Sequence, residues 1–155
     1  MELQEYLTLK NIYFWANFAV LPFWIMLAFI PKARITQILV NSIIAPLILT
    51  SIYVYVIYQM ILMEELFFSI FTLYLGADKL YALFSTESFL VIFWLHFIAL
   101  NLFLGSWMAN DATKHNITRF IIVISIILTY FTGPLGLVFY WLIRVFYAKR
   151  LSFHD

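Results

Sequence analysis

The chain has 155 residues, of which 65% are hydrophobic, 21% aromatic and 11% charged, and its mean hydropathy is +0.98. Soluble domains average about 45–50% apolar and about 25% charged residues, so this composition predicts an integral membrane protein. The net charge of +1 gives no indication of nucleic-acid binding. The absence of cysteine excludes a disulfide scaffold, a thiol enzyme and a cysteine-based zinc finger.

Four apolar stretches are long enough to cross a membrane as α-helices, which takes about 20 residues each. The predicted spans are residues 11–30, 36–59, 88–108 and 118–147. Thr36 is expected to be the N-cap of the second span. The first span lacks the basic leader and the cleavage site of a signal peptide, so we expect it to remain in the protein.

Prolines and glycines interrupt these apolar stretches. The fourth stretch would measure about 45 Å as one straight helix, which is too long for a single crossing. Gly133 and Pro134 lie in its middle and are predicted to bend or break it. With Pro22 and Pro46 in the first two spans, three bent helices are expected, and they favour an internal pocket.

Residues 63–86, between the second and third spans, are apolar but carry four charged residues. We predict an aromatic amphipathic segment at the membrane interface, broken near Gly76, with a short re-entrant span as the alternative. The predicted fold is therefore an all-α integral membrane protein with one transmembrane domain over residues 1–155. It is a four-helix transmembrane bundle with kinked helices and an interfacial amphipathic segment between spans 2 and 3.

The cations do not set the orientation of a four-span protein. Five would lie on the side of the termini and four on the other side, and such a difference is too small for the positive-inside rule. Arg144 is expected to extend to the lipid headgroups together with Lys149 and Arg150.

Polar side chains at membrane depth are the candidates for function. His96, near the middle of the third span, could be an acid–base group, a structural hydrogen-bond donor or a metal ligand. Asp111 is about 22 Å from it along the same helix, so the two cannot pair directly. No metal site is predicted, because the other histidines lie at or beyond span ends and no HxxxH or HxxE spacing occurs. Asn101, with Gly105 and Ser106, favours a close helix contact.

An ordered set of short motifs resembles the abscisic-acid-deficient-four family, which is associated with neoxanthin synthesis in plants. The motifs begin with Ala16-Asn17, Leu21-Pro22-Phe23-Trp24, Pro31, Thr36 and Pro46, followed by Trp94-Leu95-His96-Phe97, Gly105-Ser106-Trp107, Asp111, Thr132-Gly133-Pro134-Leu135-Gly136 and Arg144. The resemblance covers almost the whole chain.

The resemblance implies a four-span membrane protein that processes a carotenoid or another isoprenoid lipid. The expected reaction is an isomerisation by acid–base chemistry, which needs no cofactor. His96 and Asp111 are the expected catalytic residues, and no metal is expected. The expected substrate-binding residues are Asn17, Trp24, Trp94, Asn101, Trp107, Tyr130 and Arg144.

One departure from the family pattern favours an alternative function. The resemblance leads us to expect Trp-x-His-x-x-Ala-x-Asp, but Asn101 stands in place of the acid, and an amide does not titrate. The alternative is a non-catalytic membrane subunit that binds a pigment, a lipid or a partner, with an oligomer possible. Proton transport is less favoured because membrane-buried acids are scarce. The expected location is a bacterial inner membrane, or a plastid membrane if the source is a phototrophic eukaryote.

Overall fold

The described part of the chain is helical, in agreement with the predicted fold class. The structure, a computed structural model, describes residues 8–42, 44–62 and 67–148, and these contain no strand. In chain order the elements are α1 (Leu9–Phe29), α2 (Arg34–Leu39), α3 (Ile44–Leu62), a 3₁₀ helix (Phe67–Tyr74), α4 (Ala77–Phe84), α5 (Glu87–Lys114), α6 (Arg119–Thr132) and α7 (Pro134–Ala148).

Three stretches are long and apolar enough to cross a membrane. They are Leu9–Phe29, Arg34–Leu62 and Glu87–Lys114, and the first and third are single helices, α1 and α5. The two apolar helices that follow, α6 and α7, have 14 and 15 residues. At about 1.5 Å per residue each is about 21–23 Å long, which is shorter than the hydrocarbon core of a bilayer.

Helices α6 and α7 form an antiparallel hairpin. The break was predicted at Gly133 and Pro134, and the structure confirms it: α6 ends at Thr132 and α7 begins at Pro134. The two helices pack along each other, and the hydroxyls of Thr118 and Tyr147 lie 3.2 Å apart. The prediction of one bent crossing over residues 118–147 is therefore wrong, because the two ends of that stretch meet.

Glycines allow this reversal. Gly133 has φ +60°, a value that favours glycine, and its N–H donates to the Thr129 carbonyl at 2.8 Å. A Cβ atom at Gly136 would collide with the side chain and backbone of Thr129, so only glycine permits this close packing of α7 on α6. The hairpin therefore depends on the glycine conformation at residue 133 and on small side chains where α6 and α7 are in contact.

Only one of the three prolines predicted to bend a helix lies beyond the first turn of its helix. Pro22 is internal to α1, as predicted. Pro134 is the first residue of α7 and Pro46 the third residue of α3. In a first helical turn the missing N–H has no intrahelical acceptor to lose, so proline begins these helices instead of bending them. The expectation of three bent helices is wrong at these two positions.

Thr36 is inside a helix and does not cap one. The second predicted span begins with the short helix α2, whose N-cap residue is Ala33, with no side-chain cap. Thr36 is completely buried and its Oγ1 donates to the Ile30 carbonyl at 2.7 Å. It therefore ties α2 to the end of α1. Turn and bend residues 40–42 separate α2 from α3.

The segment between α3 and α5 breaks near Gly76, as predicted. Residues 63–66 lie outside the described residues, and the 3₁₀ helix and α4 follow. Tyr74 is 93% exposed and Tyr81 70% exposed. Each helix has eight residues, which gives about 12–16 Å, too short to cross a bilayer. Its interfacial position stays a prediction.

The chain divides into two compact units. Unit 1 comprises residues 1–19 and 47–97, and its core side chains include Ala16, Val56 and Leu95. Unit 2 comprises residues 20–46 and 98–155, and its core includes Leu27 and Leu102. The assignment of all 155 residues to one transmembrane domain stays a prediction.

Candidate functional site

Four polar side chains meet in unit 2, where the end of α5 packs against α7. Arg144 Nε donates to Asp111 Oδ2 at 2.6 Å, and Arg144 Nη2 donates to Asp111 Oδ1 at 3.2 Å. The Tyr140 hydroxyl donates to Asp111 Oδ2 at 2.7 Å. His115 Nε2 lies 3.5 Å from Asp111 Oδ1 and 3.4 Å from Arg144 Nη2. We call these four residues the Asp111 cluster.

Helical spacing positions the members of the Asp111 cluster. Asp111 lies in the last turn of α5, and His115 follows it by four positions, directly after the end of α5, with its N–H still donating to the Asp111 carbonyl. Tyr140 and Arg144 are four residues apart on α7. Residues with this spacing share one face of a helix, so two facing pairs converge when the helices pack. Trp107, one turn before Asp111, packs edge-to-face on the Tyr140 ring with centroids 5.8 Å apart.

The Asp111 cluster is buried except at His115. Tyr140 is fully buried, Arg144 is 1% exposed and Asp111 is 7% exposed, whereas the His115 side chain is 18% exposed. Burial of a lone charge would be very costly, and the two-point contact between Arg144 and Asp111 compensates both charges. His115 is the most exposed member of the Asp111 cluster.

Unit 2 contains a second polar network, formed by amides. Ser106 Oγ donates to Asn41 Oδ1 at 2.7 Å, and Asn41 Nδ2 donates to Asn110 Oδ1 at 3.0 Å. The network ties the turn after α2 to α5. One residue before Ser106, a Cβ atom at Gly105 would lie 2.7 Å from the Trp24 ring, so the predicted close helix contact is confirmed at Gly105.

Asn101 lies against the turn of the hairpin. A Cβ atom at Gly133 would be 2.6 Å from Asn101 Oδ1. Asn101 is 4% exposed, and its Nδ2 has no hydrogen-bond partner within the described ranges. The turn between α6 and α7 thus lies level with the middle of α5.

An apolar groove in unit 2 contains two of the predicted substrate-binding residues. Its volume is about 370 Å³, and Trp24 of α1 and Tyr130 of α6 line it, with ring centroids 5.4 Å apart. The other lining residues are all aliphatic or aromatic: Leu21, Ile25, Ala28, Phe29, Val123, Ile126, Ile127 and Phe131. Such a groove is suited to a hydrocarbon ligand.

In unit 1 the predicted residues Asn17 and Trp94 form a hydrogen bond. Trp94 Nε1 donates to Asn17 Oδ1 at 3.1 Å, and Asn17 Nδ2 donates to the Tyr13 carbonyl at 2.7 Å. Tyr13 and Trp94 also line a cavity of about 530 Å³, together with Leu9, Lys10, Phe84, Glu87, Leu90, Val91 and Phe93. Asn17 therefore orients the ring of Trp94, which forms part of the wall of this cavity.

His96, the predicted catalytic histidine, is exposed and belongs to unit 1. Its ring lies 6.3 Å from the Tyr53 ring, between centroids, and it makes no hydrogen bond to any residue that the structure describes. No group of three or more His, Asp or Glu residues in the described ranges could hold a metal ion.

A family profile matches most of the chain, including the region that carries all but one of the motifs quoted for the sequence resemblance. The profile of the ABA DEFICIENT 4-like family matches residues 11–140. This chain belongs to the ABA DEFICIENT 4-like family.

A named relative agrees with this membership. The chain is similar to Protein ABA DEFICIENT 4, chloroplastic, of Arabidopsis thaliana, with 31% identity over 101 residues. The alignment covers 64% of this chain and 46% of the relative, so this chain spans less than half of the relative's length. No solved structure gives a significant match.

In this ABA DEFICIENT 4-like chain the predicted residues Asp111 and Arg144 come together. The prediction that Arg144 extends to the headgroups is wrong, because its guanidinium is buried against Asp111. Lys149 and Arg150, grouped with it in that prediction, lie outside the described residues.

Sequence reasoning missed His115 and Tyr140. The four-residue spacing between Asp111 and His115 was a usable signal, since it places an acid and an imidazole on one helix face. Tyr140 carries no comparable signal, because its partner lies 29 positions earlier in the chain.

Proposed function

We propose that this protein processes a carotenoid or a related isoprenoid lipid inside a membrane, by an isomerisation that uses acid–base chemistry. Membership of the ABA DEFICIENT 4-like family supports the class of molecule, together with the motif resemblance to proteins of neoxanthin synthesis. The chemistry is supported by the Asp111 cluster, in which the partly exposed imidazole of His115 lies 3.5 Å from a buried carboxylate.

The groove of unit 2 supports an isoprenoid as the ligand. Its lining is aliphatic and aromatic, and flat rings such as those of Trp24 and Tyr130 pack well against a conjugated or branched chain. A volume of about 370 Å³ suits one end of a carotenoid better than the whole molecule. The remainder of the ligand would extend into the surrounding lipid.

In this proposal His115 and Asp111 form the acid–base pair. A carboxylate beside an imidazole can fix the orientation of its ring. Arg144 holds the carboxylate through two donors, and its Nη2 also lies 3.4 Å from His115 Nε2, so Asp111 stays in place while His115 exchanges a proton.

The proposed isomerisation balances without a co-reactant. A base removes a proton from a carbon next to the epoxide ring, the epoxide C–O bond opens, and an acid donates a proton to that oxygen. One proton leaves the substrate and one enters it, so the product is an allenic alcohol with the same composition. His115 would act as the base or the acid in one of these two proton transfers. His96 stays the predicted alternative for that role.

Pigment analysis of an expressing host tests this function. We expect a carotenoid-producing host that expresses the chain to accumulate an isomer that is absent from the empty-vector control. His115→Gln should abolish this isomer, while the matched variant His96→Gln should retain it. Unchanged pigments in hosts that supply epoxidised and non-epoxidised carotenoids would contradict the proposal. If the isomer were lost with His96→Gln but retained with His115→Gln, the catalytic residue would be His96.

A second candidate function is non-catalytic binding of a pigment, lipid or partner. One observation favours it: Asp111 already accepts three hydrogen bonds from Arg144 and Tyr140, as in a purely structural ion pair. In that case His115→Gln would change the stability of the protein or the amount of bound ligand, without changing any product.

For the membrane topology we propose three crossings followed by the hairpin of α6 and α7, in place of four crossings. The hairpin enters from the side on which α5 ends and returns to that side, because Thr118 and Tyr147 are in contact. Lys32, Arg34, Lys114 and Arg119 then lie on this side, and Lys149 and Arg150 follow α7 in the sequence.

This topology gives the cations a clear asymmetry. Only Lys10 and Lys79 lie near the opposite ends of the three spans. The positive-inside rule then places the loop between α1 and α2 in the cytoplasm of a bacterium, with the protein in the inner membrane. A plastid membrane is the corresponding location in a phototrophic eukaryote.

Introduced cysteines test the topology directly, since the natural chain has none. We expect a membrane-impermeant thiol reagent to label Lys32→Cys, Asn116→Cys and Ser152→Cys from one side of the membrane, and Tyr74→Cys from the other. Labelling of Ser152→Cys from the same side as Tyr74→Cys would restore the four-span arrangement.

A further inference from the structure

A cavity of about 530 Å³ lies in unit 2, where α1 ends and α6 begins. Its apolar lining comes mainly from Phe29, Ile30, Ile117 and Ile122, and its polar lining from Lys32, Thr113, Asn116 and Arg119. The cavity thus combines an apolar wall with two cationic side chains. No residue of the Asp111 cluster lines it.

Among the residues that the structure describes, no carboxylate neutralises the two cations of this cavity. Arg119 Nη2 donates to the Phe29 carbonyl, which carries no net charge. Lys32 is exposed and makes no hydrogen bond or ion pair within the described part of the chain. Asp111 is the only acidic residue in the described ranges of unit 2, and Arg144 already pairs with it.

Other cations lie close by in the sequence. Arg34 follows Lys32 by two positions, and Lys114 precedes the loop that leads to Arg119. Both flanking loops join membrane-length or apolar helices. In a bilayer that these helices cross, the cavity would lie at the level where headgroups meet hydrocarbon. An occupant that matches it needs a negative charge at one end and an apolar portion at the other.

We infer that this cavity binds the phosphate group of an anionic membrane lipid. Lys32 and Arg119 contact the phosphate, with Thr113 and Asn116 as neutral hydrogen-bonding groups beside it, and the acyl or isoprenyl chain lies along Ile30 and Ile122. Arginine matches phosphate oxygens with several donors, and lysine adds a point charge. The cavity and its charge do not depend on the function or the topology proposed above.

Native mass spectrometry of the purified full-length protein tests this inference. The probes are phosphatidylglycerol and phosphatidylcholine with identical acyl chains, titrated into detergent-solubilised protein. We expect phosphatidylglycerol to bind more tightly, and Lys32→Gln to weaken that preference about fivefold, the factor that about 1 kcal/mol per cation gives. Lys79→Gln, which removes the same charge from an exposed position of α4, should leave it unchanged.

Arg119 needs two variants because it also contacts the backbone of α1. Arg119→Lys keeps the positive charge and should retain most of the preference, while Arg119→Gln should lose it. A preference for phosphatidylglycerol that survives Lys32→Gln with Arg119→Gln in a folded protein would overturn the site. Equally tight competition by inorganic phosphate would overturn the lipid as its occupant, because free phosphate cannot use the apolar wall.

Discussion

The two units of this chain differ in how many polar side chains they bury. Seven of the eight buried polar or charged residues in the described ranges belong to unit 2, and only Ser88 belongs to unit 1. In unit 1 the histidine at membrane depth is exposed, and the distinctive contacts are between rings, such as Tyr13 with Trp94 and Phe84 with Phe93.

The difference shows where chemistry can occur in so apolar a protein. Hydrocarbon does not solvate a charge, so a charged group persists there only when the protein surrounds it with partners. Unit 2 supplies those partners through the α6–α7 hairpin, which brings Arg144 back to Asp111. Unit 1 supplies aromatic walls instead. The comparison therefore assigns the polar site to unit 2.

Breaking the buried ion pair should give the largest effect. Asp111→Asn leaves the guanidinium of Arg144 buried without a counter-charge, which costs about 3–5 kcal/mol in comparable sites. We expect a corresponding fall in the free energy of unfolding, measured by denaturant titration with tryptophan fluorescence in detergent.

A double variant sharpens this prediction. Asp111→Leu with Arg144→Met removes both charges and should recover much of the lost stability, because an apolar pair avoids the desolvation cost. If Asp111→Asn were as stable as the natural protein, the proposed burial of the pair in unit 2 would be wrong.

Removing the Tyr140 hydroxyl should have the next largest effect. Tyr140→Phe deletes one hydrogen bond to a charged carboxylate and keeps the ring contact with Trp107, so we expect a loss of about 1.5–3 kcal/mol. The same unfolding titration measures it. Tyr147→Phe, at the exposed end of α7, is the matched control and should cost less.

The tight seam of the hairpin predicts a smaller loss. Gly136→Ala places a methyl group against the backbone of Thr129, and overpacking of this kind typically costs about 1–3 kcal/mol. Because backbone atoms stand in the way, adding Thr129→Ala should not restore the stability. A fully stable Gly136→Ala protein would show that α6 and α7 are not packed as described.

The smallest effect is expected in unit 1. His96 is exposed, so His96→Ala should change the free energy of unfolding by no more than about 0.5 kcal/mol, as is usual at surface positions. A loss comparable to that of Tyr140→Phe would mean that His96 has a buried partner. The contrast between the two units would then disappear.

The amino-acid sequence predicted an all-helical fold with apolar stretches of membrane-spanning length, and the break at Gly133, because composition and glycine–proline pairs determine these features locally. The catalytic role of Asp111 stays a prediction. The sequence could not predict the hairpin. Thirty apolar residues look alike whether they cross a membrane or reverse within it, and the reversal depends on contacts such as that of Thr118 with Tyr147.

The contact of Arg144 with Asp111 could not be predicted for the same reason. Its closeness in sequence to Lys149 and Arg150 indicated a headgroup contact, and only the returning helix brings it to Asp111. His115 was within reach of sequence reasoning through its spacing from Asp111. The sequence predicts bends at Pro46 and Pro134, but proline in the first turn of a helix is equally compatible with it, and the structure has both prolines there.

The most direct test of the central claim is the identity of the molecule that remains bound to the purified protein. Lipid extracts of protein purified from a carotenoid-producing host would be analysed by absorption and mass spectrometry, with the surrounding membrane as reference. We predict enrichment of an isoprenoid that Trp24→Ala, in the groove of unit 2, reduces and that Trp15→Ala, an exposed tryptophan of unit 1, does not. An extract that contains only bulk phospholipids in membrane proportions would contradict the account.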